Sequence, residues 1–131
     1  MTRLITLSFL AAALAAPTAA GAATTAARPY SLTATKQCLK AAGRTVSNVR
    51  RVDSRRMAFQ DLAQRTSLEV RFGKRWIAVA FTPSTAHAAF LRDALRIPND
   101  PYTLRVRGSV VLMFDADGPL SQLAAVERCL R

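Results

Sequence analysis

Leu68, Val70 and Phe72 alternate with Glu69 and Arg71, and further along Leu104 and Val106 alternate with Arg105 and Arg107. A period of two sends successive side chains to opposite sides of an extended chain, so each run predicts a half-exposed β-strand. Each is followed by a glycine, Gly73 or Gly108, and then by a wholly apolar run, Ile77 to Phe81 or Val110 to Phe114. Glycine is the residue a tight hairpin turn uses for positive φ, so each pair of runs predicts a hairpin. Helices are predicted next, over 83–96 behind Thr82-Pro83 and over 119–130 behind Asp117-Gly118-Pro119, because proline is preorganised for a first helical turn. The two ββα units match segment for segment and read as an internal repeat.

In the second strands Ile77, Val79 and Phe81 share a side with Val110, Leu112 and Phe114, leaving Trp76, Ala78, Ala80, Val111 and Met113 on the other. One of these sides is expected to carry both later helices through Leu91, Ala94 and Leu95 and through Leu123, Val126 and Leu130. Upstream, Thr35, Cys38, Leu39 and Ala42 follow helical spacing, and Gly43 stands where a left-handed stop belongs. A second helix is predicted over 54–64, capped by Asp53 or Ser54 and carrying Met57, Phe59, Leu62 and Ala63, with 45–52 as an extended stretch or a loop. The segment from Leu95 to Tyr102, with Pro98-Asn99-Asp100-Pro101, is predicted to be a loop. The expected fold class is α+β: an N-terminal helix or helix pair, then two ββα units forming a four-stranded, mostly antiparallel sheet with helices packed on it. The order is a circular rearrangement of the ferredoxin-like one.

Residues 1–22 read as a cleaved Sec-type signal peptide. Arg3 provides the positive start, Leu4 to Ala16 a predominantly apolar run, and Ala20-Gly21-Ala22 the small-x-small pattern of a cleavage site. At about 1.5 Å per residue that run spans roughly 20 Å, short of the ~30 Å hydrocarbon core of a bilayer. Residues 23–30 are Ala/Thr-rich and are expected to be a mobile leader, which leaves 31–131 as a single domain. Cys38 and Cys129 are an even pair in a chain read as exported, which predicts a disulfide.

The chain has 131 residues, 50% of them hydrophobic, and 19 Lys plus Arg against 8 Asp plus Glu give a formal net charge of +11. That composition is globular and excludes disordered, collagenous and polytopic membrane classes. Between Lys36 and Arg56 seven cations face one anion, Asp53. Arg44, Arg50, Arg51, Arg55 and Arg56 are the candidate anion-binding set, since guanidinium groups take phosphate and carboxylate by paired hydrogen bonds. The competing reading is a solvated face in an arginine-rich composition. For an exported chain the anions at hand are envelope polymers, lipid headgroups or an acidic protein, and nucleic acid enters only as an extracellular target.

A second candidate is a sheet face bearing Trp76 and Met113 beside Arg71, Arg105 and Arg107. An aromatic among arginines can stack and neutralise single-stranded nucleic acid. An apolar strip of that width is otherwise expected to be covered, by the N-terminal helices or by a second subunit in a homodimer. No cofactor, metal or catalytic site is assigned. His87 is the one histidine, Glu69 and Glu127 are the only acid/base partners conceivable for it, and no glycine-rich phosphate loop occurs. The expectation is a small exported basic module that binds without catalysis, with a secreted ribonuclease-like hydrolase of polyanions as the alternative.

Overall fold

The computed structural model of the chain describes residues 29–49, 54–63 and 66–131, and of 54–57 the backbone only. The expected signal peptide and most of the expected leader therefore lie outside the described residues, as do Arg50 and Arg51. Nine elements follow in order: α1 (Leu32–Ala41), β1 (Thr45–Asn48), α2 (Ser54–Leu62), β2 (Ser67–Phe72), β3 (Arg75–Phe81), α3 (Thr85–Leu95), β4 (Tyr102–Arg107), β5 (Val110–Asp115) and α4 (Leu120–Glu127).

Local chemistry sets these boundaries. Ser31 caps α1 by accepting from the Ala34 N–H at 3.2 Å. At the other end Gly43, with φ of 74°, donates to Lys40 O while Arg44 donates to Leu39 O, the paired bonds of a Schellman stop. Ser84 caps α3 by accepting from the His87 N–H at 3.1 Å. Each hairpin has a two-residue loop whose first member is a glycine at positive φ, Gly73 at 64° and Gly108 at 53°. That is the conformation a type II′ turn asks of its first residue, and its twist suits the strands it joins.

The sheet has five strands in the order β1-β2-β3-β5-β4, and every neighbouring pair is antiparallel. It thus exceeds the expected four strands. The extra one is β1, which falls within the segment 45–52 whose periodicity did not distinguish strand from loop, and it pairs Thr45 with Arg71 through Asn48 with Leu68.

The second difference concerns the helices. α3 and α4 do not share one face of the sheet. α3 packs Ala88, Leu91 and Leu95 on Trp76, Ala78, Ala80, Val111 and Met113, together with Phe59 and Ala63 of α2 and its end. On the opposite face lie Leu68, Val70, Ile77, Val79, Leu112 and Phe114, covered by Leu39 of α1 and by Leu123 and Val126 of α4. The reason lies in strand phase. β3 ends on Phe81, which points toward α1 and α4, whereas β5 ends on Asp115, one step out of phase with it, so the two chains leave the sheet on different sides. Both hairpins turn through a two-residue loop opened by a glycine, but the helices that follow them pack on opposite faces of the sheet.

The apolar strip around Trp76 and Met113 consequently finds its cover within the chain, under α2 and α3, and needs no second subunit to bury it. Cys38 and Cys129 form a disulfide with Cα atoms 5.5 Å apart, tying α1 to the residues just past α4. The two ends of the described chain also meet, since the Ser31 N–H donates to Arg131 O and the Arg131 N–H donates to Thr35 Oγ1 at 3.4 Å. Tyr30, at the end of the expected leader, is anchored: its N–H donates to Ser109 Oγ at 3.1 Å.

Candidate anion-binding surface

Arg44 leaves the Schellman stop of α1 and lays its guanidinium over Phe72 at the end of β2, 4.9 Å from the ring centroid. This is a cation–π contact in which the ring supports the side chain and the charge stays at the surface. Of the five arginines predicted as an anion-binding cluster it is the one whose side chain is described. Arg55 and Arg56 are placed in the first turn of α2 by backbone alone.

The arginines predicted on one sheet face are divided between two. Arg71 stands opposite Trp76 in the β2–β3 ladder, on the α2/α3 side. There its Nη2 lies 2.7 Å from Oε1 of Glu69, a carboxylate with no exposed surface. Trp76 is buried and its ring centroid is 5.2 Å from that of Tyr102, tilted by 47°. Met113 is fully buried beside Ala78 and Leu104. Arg105 and Arg107 are on the other side, because Arg105 opposes Leu112 and Arg107 opposes Val110, residues of the α1/α4 face. The alternation of β4 was legible, but its phase relative to β2 depends on the pairing through β5 and β3.

Arg105 and Arg107 meet Glu127 of α4. Arg105 Nη1 is 3.3 Å and Arg107 Nε 3.0 Å from the same oxygen, Oε1. The hydrogen bond to Glu127, and the charge behind it, raise the pKa of Arg107 above its ordinary value. Two guanidinium groups thus bear on one carboxylate and retain a net positive charge at the rim of the sheet.

A third basic element was not anticipated from the sequence. Arg92 and Arg96, one turn apart at the end of α3, line an open groove of about 370 Å³ with Asn99, Asp100, Thr103 and Leu104. Arg92 Nε donates to Asp93 Oδ1 at 2.9 Å, and that bond holds the Asp93 carboxyl below the ordinary range. The helical spacing of the two arginines was readable, but their position beside β4 needed the fold. On the far side of the sheet Arg75 reaches Asp117 at 3.3 Å, an exposed pair of little energetic weight.

His87 is exposed in the first turn of α3. Glu127 belongs to α4 on the opposite face, and Glu69 is fully buried on β2, where Arg71 Nη2 lies 2.7 Å from its Oε1. The pair of His87 with Glu127 is therefore not assembled. Among the described residues no group of three or more His, Cys, Asp or Glu could hold a metal ion, and no helix is long and apolar enough to cross a membrane. No known protein family, curated protein or solved structure matches the chain.

Proposed function

We propose that the protein is a small exported binding module, released from a cleaved signal peptide at residues 1–22, whose arginines hold anionic polymers, lipid headgroups or acidic protein surfaces without catalysis. The observation that carries this reading is the pair Arg105 and Arg107 sharing one oxygen of Glu127, in a chain with 19 cationic against 8 acidic residues. Both arginines rise from a strand, so a ligand meets cations whose backbone is already ordered, and the entropy lost on binding is smaller than for a disordered basic tail. The disulfide is compatible with an extracytoplasmic compartment.

The test is retention of the disulfide-bonded protein on a heparin matrix as salt is raised. Neutralisation by arginine predicts a steep loss between low and moderate ionic strength. The double substitution Arg105→Gln and Arg107→Gln is expected to move elution to lower salt. Retention indifferent to salt, or unaltered by that double substitution, contradicts the reading.

A further inference from the structure

We propose that the outer edge of β4 is a docking site for an extended acidic peptide, which joins the sheet as a sixth strand. The inference rests on the anionic reading above for the charge of its ligand and adds a backbone geometry to it.

β4 is the last strand of the sheet and pairs only with β5, in unbroken register from Tyr102 opposite Asp115 to Arg107 opposite Val110. Among the described residues no backbone group from Thr103 to Val106 bonds to anything other than β5. Half of the strand's N–H and C=O groups therefore face outward, which is the template a peptide uses in strand addition. The other edge offers less, because β1 has only four residues.

The side chains flanking the open edge specify the partner. On the α1/α4 side stand Arg105 and Arg107, with side chains 43% and 49% exposed and a single carboxylate between them. On the α2/α3 side stand Leu104 and Val106, half-buried, next to the groove of Arg92 and Arg96. A strand laid along β4 has its own side chains alternating at the same repeat, about 6.6–6.8 Å between residues i and i+2. Residues beside Arg105 and Arg107 are matched by carboxylates, and the intervening ones, beside Leu104 and Val106, by apolar side chains. The fitting sequence alternates acidic and apolar residues.

A second copy of this chain fits the edge less well. Antiparallel pairing of two β4 strands centred on Arg105 or on Val106 sets guanidinium directly against guanidinium, and like charges directly opposed destabilise a ladder. In those two registers the arginines disfavour self-pairing, and at the same edge they favour an acidic partner.

The experiment is a titration of the isotope-labelled, disulfide-bonded protein with a capped heptapeptide, Thr-Glu-Val-Glu-Val-Glu-Thr, followed by amide chemical shifts and hydrogen exchange. Perturbation centred on the Thr103 to Arg107 amides, with slowed exchange of alternate ones, is expected. Two versions N-methylated on alternate residues, one on the valines and one on the glutamates, separate pairing from charge. Since alternate amides of an added strand point at β4, one version must bind at least about tenfold more weakly than the parent. Arg105→Glu with Arg107→Glu is expected to lower affinity by a similar factor or more. Equal binding of both methylated peptides overturns the proposal while leaving charge-driven binding intact, as does an unbound peptide at millimolar concentration with heparin retention preserved. A dimer in sedimentation velocity, with outward β4 amides already protected in the free protein, shows a second copy on the edge and also overturns it.

Discussion

The ring of Tyr30 fills the space that a β-carbon on Gly108 would need, so that such a carbon would stand 2.9 Å from its Cε2. Tyr30, the residue before the N-cap of α1, is thereby locked over the β4–β5 turn, which its N–H reinforces by donating to the neighbouring Ser109 Oγ. Gly73, in the equivalent turn of the first hairpin, has a similar positive φ and nothing within 4 Å of where its β-carbon would be.

The two glycines therefore separate backbone strain from crowding. Gly73→Ala carries the left-handed penalty alone, about 1–2 kcal/mol. Gly108→Ala adds the displacement of Tyr30 and is expected to be the more destabilising in a urea denaturation. In a Tyr30→Ala background the difference between the two alanine variants should vanish. If it persists, the contact with Tyr30 is not its source.

Trp76 and Met113 are core residues, so truncation acts on stability rather than on a ligand surface. Met113→Ala is expected to cost about 2–5 kcal/mol and Trp76→Ala about 3–5 kcal/mol, the range for large side chains removed from packed interiors. The measurement is denaturation midpoint alongside heparin retention of the folded protein. Loss of retention with an undiminished midpoint would show that these residues face a ligand.

The disulfide closes a loop with a sequence separation of 91. Chain-entropy reasoning gives it about 4.5 kcal/mol, a large share of the roughly 5–15 kcal/mol available to a domain of this size. Cys38→Ser with Cys129→Ser is expected to lower the denaturation midpoint steeply, and reductant should do the same to the wild type but not to the double variant.

Asp93 titrates below the ordinary carboxylate range because Arg92 donates to it. A depressed folded-state pKa means that its stabilising contribution is present above the unfolded value and disappears as pH falls through the folded one. The pair is exposed, so the contribution is small. The observable is the titration itself: Arg92→Ala should move the Asp93 carbon resonance midpoint upward, toward that of an unperturbed aspartate.

Hairpins, helix stops and the cysteine pair were legible because each is local or nearly so: period-two runs, a glycine at a turn, Gly43 behind Leu39, two cysteines in a chain read as exported. The sides of the second strands were legible for the same reason, and Ile77, Val79 and Phe81 do share a face with Val110, Leu112 and Phe114. What failed depends on relations between elements. The β4–β5 hairpin is predicted, but its register, Arg105 opposite Leu112 and Arg107 opposite Val110, together with the pairing of β5 to β3, is what places Arg105 and Arg107 on the side away from Trp76. The four residues of β1 are too few to declare a period, and they form a strand because β2 offers them a ladder. Arg92 and Arg96 fall in the helix predicted over 83–96, and only the fold sets β4 beside them.

The bond between Cys38 and Cys129 and the hydrogen bond from Ser31 to the last residue lie at one place in the fold. A pull applied to the two ends of the described domain passes through the first turns of α1 and then through sulfur, bypassing the chain between the cysteines. The sheet is thus relieved of tension transmitted through the termini, and an end-to-end load cannot unravel it while the covalent bridge lasts.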